Sequence, residues 1–334
     1  MLGLQLTGFT RQGPSPGSVF DQVAATAVAA ETAGFDFFSV MDHLMQVPLE
    51  GPPDDPMSEP YVLLGAVAAR TSRIRLGTLV TGVTYHRPGR LAKAVTTLDV
   101  VSNGRAVLGI GAGWFEEEHA AYGYEFPSVR ERFERLDETL QICRAMFREP
   151  RTTFQGKHYS VTGAFNVPRP VQPSGPPVLI GGAGERRTIP LTVRYADACN
   201  WNCGFSELPR KLDVLAARCA EAGRDPADIV KTAHAIVVPG RSHEEAKAAR
   251  DRVLASRGLS WEDLDRVMRN VVSDRMIVGD ADEVGERIRH LFDLGMDGVI
   301  VNLPAHAQIP DDLAFAGEVL TSALPQRKET DDAA

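Results

Sequence analysis

The chain lacks the features that mark several whole classes of protein. It has four cysteines in 334 residues, at positions 143, 199, 203 and 219, too few for a secreted disulfide scaffold. Cys143 and Cys219 fall on apolar helical stripes and read as core, and Cys199-x-x-x-Cys203 has no His or Cys pair beside it, so no metal is expected. No apolar run is long enough to span a bilayer. The start, Met1-Leu-Gly-Leu-Gln5, has neither the charged opening nor the apolar stretch of a secretory signal. Lysine and arginine number 36 against 44 acidic residues, a net charge of −8, and no basic stripe suggests nucleic acid. These absences point to a cytoplasmic protein whose partners are small molecules.

What the chain does have is regular alternation. With 43% hydrophobic residues it can bury a large core. Strand-like runs recur at Leu2–Leu6, Phe37–Val40, Ile74–Val80, Ala106–Ile110, Val178–Ile180, Ala196–Asn200, Ile229–Val238 and Val299–Val301. Between them, apolar residues spaced by three and four predict helices, as at Phe133, Leu136, Leu140, Cys143 and Phe147. Ser128-x-x-Glu131, Ser242-x-x-Glu245 and Asp280-x-x-Glu283 look like helix openings. Gly34, Gly104 and Gly295 fall where a helix ends and a strand begins. About eight such units, with strands apolar on both faces, predict a (β/α)8 TIM barrel; an open doubly wound sheet is the alternative. Residues 1–325 are read as one domain and 326–334 as a polar tail. Three insertions, at about 46–59, 152–177 and 239–276, are placed at the C-terminal face, where long excursions often form lids or binding loops.

Chemistry concentrates at strand ends. Asp42 and His43 follow the apolar run Phe35-Asp-Phe-Phe-Ser-Val40, and in a barrel of this kind strand C-termini carry the reactive groups. The alternative is a turn-capping Asp beside a solvated His. Two glycine turns follow other strands. Val107-Leu-Gly-Ile-Gly-Ala-Gly-Trp114 fails the dinucleotide fingerprint at its last position. Ile180-Gly-Gly-Ala-Gly-Glu-Arg-Arg187 runs from strand to helix, so N–H donors and a positive helix end converge on one spot suited to phosphate. Arg186 or Arg187 could add a charge-assisted contact.

Six segments together resemble one family: Val40-Met-Asp-His-Leu-Met45, Leu76-Gly-Thr-Leu-Val-Thr81, Thr97-Leu-Asp-Val-Val-Ser-Asn-Gly-Arg105, Leu108-Gly-Ile-Gly-Ala-Gly-Trp114, Thr153-Phe-Gln-Gly-Lys-His-Tyr159 and Val178-Leu-Ile-Gly-Gly-Ala-Gly-Glu-Arg-Arg187. The chain is similar to the bacterial luciferase-like superfamily, in the branch associated with coenzyme F420. That resemblance implies a deazaflavin ring in the barrel mouth, with Asp42 near the ring and His43 beside the reacting carbon as acid/base or substrate orienter. Leu79-Val80 matches the position of a non-prolyl cis peptide supporting one ring face. Gly111, Ala112 and Gly113 would line the ring or ribityl chain. Gly181, Gly182, Ala183 and Gly184, with Arg186, would hold the phosphate.

One departure matters. Sugar-phosphate dehydrogenases of this branch carry a Glu at the place of Trp114, and the two basic residues expected to grip a sugar phosphate are not evident. An indole there suggests an apolar or aromatic substrate. The resemblance thus implies an F420-dependent oxidoreductase that transfers hydride between C5 of the deazaflavin and a small organic substrate, reducing an activated C=C, C=N or C=O bond. The alternatives are an FMN-dependent monooxygenase and a non-catalytic flavin- or deazaflavin-binding protein. A homodimer is expected.

Overall fold

The computed structural model describes residues 1–9, 17–48, 50–307 and 309–325; the polar tail 326–334 and Leu49 of the first insertion lie outside them. The strands are β1 (Leu2–Leu6), β2 (Phe37–Val40), β3 (Arg75–Thr78), β4 (Thr81–Gly82), β5 (Ala106–Gly111), β6 (Thr152–Gln155), β7 (Ser160–Ala164), β8 (Val178–Gly181), β9 (Ala198–Trp201), β10 (Val230–Pro239), β11 (Met276–Gly279) and β12 (Gly298–Asn302). The α-helices are α1 (Ser18–Thr32), α2 (Pro60–Ala68), α3 (Pro88–Val101), α4 (Glu116–Ala121), α5 (Val129–Arg148), α6 (Thr188–Tyr195), α7 (Leu208–Ala222), α8 (His243–Ser256), α9 (Arg266–Ser273), α10 (Ala281–Asp293) and α11 (Pro310–Ser322).

Parallel pairing runs β1-β2-β3-β5-β8-β9-β10-β12 and returns to β1, so the sheet closes into a (β/α)8 barrel. Alternation along each strand explains the double burial. Phe37, Val107, Leu179 and Ile300 point inward and fill the barrel floor. Leu4, Phe38, Leu76, Leu108 and Ile180 point outward under the helices. Side chains on successive strand residues face opposite ways, so one apolar run serves both layers.

Local signals in the sequence act as anticipated. Ser128 and Ser242 cap α5 and α8, and Asp280 and Glu283 form a reciprocal capping box on α10. Gly34, Gly104 and Gly295 take φ values of +87°, +87° and +101°. Two of the shared motifs prove to be structural ties. Buried Asp99 accepts the N–H groups of Val171 and Gln172, and Arg105 donates to Ala68 O, Thr71 O and Ile74 O. Glu138 likewise receives the N–H groups of Lys157, His158 and Tyr159 and seats the β6–β7 hairpin.

Two details differ from the sequence reading. The run Ile74–Val80 is not one strand: the ladder stops at Thr78, the Leu79-Val80 peptide is cis, and Thr81–Gly82 resumes pairing with β5. The segment 239–276 is helical through α8 and α9 but feeds a further strand, β11, which pairs with the overhanging end of β10 outside the barrel. Met276-Ile-Val-Gly279 is a short apolar run between helical stretches, and such a run reads equally as the end of a helix.

Candidate active site

Asp42 and His43 stand immediately past β2, and each is held by a partner from another segment. Asp42 is buried, and its Oδ2 accepts the Gly82 N–H and the His86 Nε2–H, both at 2.9 Å. His43 Nδ1 lies 2.8 Å from Oε2 of Glu118 on α4. Glu118 is fully buried, at 0% exposure. Its Oε1 accepts the N–H groups of Leu44 at 2.6 Å and Met45 at 3.1 Å, and its Oε2 also accepts the Tyr85 hydroxyl. Burial alone would raise the Glu118 carboxyl. The hydrogen bonds from His43 and Tyr85 outweigh it and hold the group below its ordinary value. The Tyr85 phenol is pushed up, first by burial and then by Glu118. His86 is lowered by burial, but the charge and hydrogen bond of Asp42 prevail and leave it raised.

The second layer of this network is also closed. His119 Nδ1 meets the Phe115 carbonyl at 2.7 Å, so that nitrogen carries the hydrogen, and Nε2 accepts the Thr84 hydroxyl at 2.7 Å. On the barrel's inner wall, His234 Nε2 donates to Gln5 Oε1, and Gln5 Nε2 donates to the Leu79 carbonyl, both at 2.8 Å. Burial lowers His234 to about 4, so its imidazole is neutral at physiological pH.

The glycine turns meet at Val80. A Cβ on Gly111 would come 2.9 Å from Val80 Cγ2, and one on Gly181 would come 2.8 Å from Val80 Cγ1. Those glycines therefore make room for the Val80 side chain, which wedges between the ends of β5 and β8. Past it, Gly182 has φ +115° and its N–H is bound to Asn200 O. Among the described residues, no backbone carbonyl receives the N–H groups of Ala183, Gly184, Glu185, Arg186 and Arg187. A Cβ on Gly184 would lie 2.9 Å from Thr188 Oγ1 at the start of α6. The result is an open backbone cradle at a strand-to-helix turn, suited to phosphate. Arg187 lies over the Phe133 ring at 5.6 Å, Glu185 is paired with Arg210 and Lys211, and Arg186 is exposed.

An apolar wall adjoins His43. The Trp114 ring lies 5.8 Å from the His43 ring, edge-on, and stacks on Phe115 at 5.0 Å. Phe115 packs with Met41 and Val47, and Met45 and Met57 cover them. Trp114 itself is 61% exposed, so its face is available to a ligand. Ala112 and Gly113 connect this wall to the end of β5. An open groove of about 880 Å³ lies elsewhere, beside α10, and contains none of these residues. Among the described residues no three His, Cys, Asp or Glu side chains gather as metal ligands. The four cysteines are free, buried thiols, with Cys199 pushed up to about 12 by burial.

The sequence profile of luciferase-like monooxygenases matches residues 1–298. The chain belongs to this family. It is 33% identical over 322 residues to an F420-dependent glucose-6-phosphate dehydrogenase of Nakamurella multipartita, covering 91% of this chain and 92% of that one. Two solved structures share the fold. The monooxygenase RslO1 of Streptomyces bottropensis has a TM-score of 0.79 at 21% identity, covering 97% of this chain and 98% of its own. The coenzyme F420-dependent tetrahydromethanopterin reductase of Methanopyrus kandleri also gives 0.79, at 19% identity, covering 97% and 99%. This luciferase-like protein is accordingly an oxidoreductase. No helix among its described residues is long and apolar enough to cross a membrane.

Sequence reasoning missed Glu118, Tyr85, His86, Gln5 and His234. A faint signal existed for Glu118: Glu116-Glu117-Glu118 opens a helix, and acidic first turns are ordinary helix-dipole complements. Only one of three consecutive residues can face the barrel, and the next residue, His119, is fully buried beside it.

Proposed function

We propose that the protein is an F420-dependent oxidoreductase that reduces an activated C=C, C=N or C=O bond in a small apolar or aromatic substrate. The observation that carries this reading is His43 itself, whose Nε2 has no protein partner among the described residues while Nδ1 is engaged by Glu118. When bound, F420 supplies the hydride at C5 of its deazaflavin. His43 supplies the accompanying proton from Nε2, which takes it up from solvent to form an imidazolium held beside Glu118. Asp42 would sit near the ring, with Leu79, Val80, Gly111, Ala112 and Gly113 along it. The Gly181–Gly184 turn, helped by Arg186, would take the phosphate, and the free N–H groups there fit that role.

The relatives' sugar phosphate fits this chain poorly. Arg257 is bound to Glu50, Lys211 and Arg210 to Glu185, and Arg275 to Asn202. A dianion gripped by any of those four groups would have to displace its present partner. An aromatic face beside a methionine-rich wall suits a flat apolar molecule instead. The reading includes a cytoplasmic homodimer, for which light scattering on the purified protein is the check.

Fluorescence titration of the purified chain with F420 and, separately, FMN tests the cofactor. F420 should bind more tightly. Tight FMN binding with no deazaflavin binding would move the protein to the monooxygenase class. Ala183→Asp should abolish F420 binding without unfolding, since a carboxylate there repels phosphate and that residue, unlike Gly182 at φ +115°, takes an ordinary backbone; normal binding by that variant would place the phosphate elsewhere.

A further inference from the structure

We infer that Glu118 is a positioning residue that fixes His43 as the Nδ1–H tautomer, so that Nε2 is the one atom that takes up a proton from solvent and passes it to the substrate. The inference rests on the reading of His43 as the proton-transfer group and adds what sets its chemistry. Glu118 is fully buried and its carboxyl is held below the ordinary value. An ionised carboxylate only accepts hydrogen bonds, so the nitrogen 2.8 Å away must carry its hydrogen. The carboxylate cannot drift, because its other oxygen is held by the N–H groups of Leu44 and Met45, the two residues after His43. Tyr85 adds a hydroxyl donor on the same oxygen as His43. Nor can the imidazole turn over freely, since Trp114 and Phe115 pack against it with ring centroids 5.8 and 5.9 Å away. One nitrogen is thus committed to Glu118 and the other to the pocket.

The geometry makes a specific forecast for Glu118→Gln. The Leu44 and Met45 N–H groups need an oxygen, so they would hold the carboxamide oxygen at the Oε1 place. Its NH2 would then face His43 Nδ1, which must become the acceptor, and the tautomer would invert. The direct measurement is the 13C and 15N NMR signature of the His43 ring in the cofactor-free protein, assigned by its loss in His43→Ala. Wild type should show hydrogen on Nδ1, and Glu118→Gln should show it on Nε2. Single-turnover oxidation of reduced F420 by cyclohexenone, a probe with an activated C=C bond, should slow by roughly 10²–10⁴-fold in Glu118→Gln, because a neutral Nε2–H gives up its proton far less readily than the imidazolium that Glu118 stabilises, with F420 affinity unchanged. Glu118→Asp, which keeps the charge, should retain the wild-type tautomer and part of the rate. A wild-type signature with hydrogen on Nε2 and none on Nδ1 would overturn the inference even if Glu118→Gln failed to fold. So would an inverted tautomer with an unchanged rate. If His43→Ala itself oxidises reduced F420 at the wild-type rate, the proton reading fails and takes the inference with it, whereas a wrong tautomer beside a slowed His43→Ala sinks the inference alone.

Discussion

Two imidazole–carboxylate pairs flank the end of β2, alike in chemistry and opposite in arrangement. In one, the carboxylate of Asp42 stands on the strand end and His86 supports it from beyond β4. In the other, the imidazole of His43 stands on the strand end and Glu118 supports it from α4. Each strand-end group is held through one atom and keeps another free of protein partners among the described residues: Oδ1 of Asp42 and Nε2 of His43. The supporting members are not equivalent. Glu118 saturates its oxygens with four donors and is sealed from water. His86 keeps a partly open ring beside Tyr61, 5.9 Å away. What separates a group that reacts from one that supports is therefore which atom is left over, and the residue type alone does not say.

The sharpest way to break the comparison is to remove one imidazole from each pair. His43→Ala should slow single-turnover oxidation of reduced F420 by cyclohexenone by roughly 10²–10⁴-fold, the range for a positioned acid/base, with F420 affinity little changed. A histidine with only a structural role would instead show lost stability and a normal rate per folded molecule.

How far this division was legible in the sequence follows from distance along the chain. Asp42, His43 and the Gly181–Gly184 turn announce themselves locally, by following apolar runs. Their partners do not. Glu118 lies 75 residues from His43, His86 lies 44 from Asp42, and His234 lies 229 from Gln5. Periodicity and turn chemistry carry no information at those separations; barrel closure brings the residues together. The glycines show the same limit. Sequence places Gly111 and Gly181 beside a ligand, and the Cβ space they leave is filled by Val80, from the break between β3 and β4.

Trp114→Ala sharpens the contrast on the His43 side. The indole touches that pair alone, so its loss should raise KM for an aromatic enone by up to about tenfold and leave F420 affinity intact. Equal weakening of both would mean that the indole supports the cofactor and not the substrate wall. His86→Phe acts on the other pair. It keeps a ring against Tyr61 but strips Asp42 of its donor, so F420 affinity should fall while kcat at saturating cofactor stays unchanged, the pattern of lost uniform binding. A lowered kcat at saturation would place Asp42 in the chemistry.

The smallest expected effect separates the pairs by the sign of their pH response. His86 is raised above the ordinary histidine value of about 6.5. The folded state then binds the proton more tightly than the unfolded chain, so the pair's contribution is complete below pH ~6.5 and is lost as pH rises through the raised value. Glu118 is lowered. Its contribution is complete above the ordinary carboxyl value and is lost as pH falls through the lowered one. Alkali should therefore loosen the Asp42–His86 pair and acid the His43–Glu118 pair. Urea midpoints measured from about pH 3 to 9 give the test. The stability gap between wild type and His86→Phe should be on the order of 1 kcal/mol at pH 6 and shrink toward pH 9. A gap that widens with pH would mean that Asp42 is held by its Gly82 N–H bond alone, with His86 no more than a neutral neighbour.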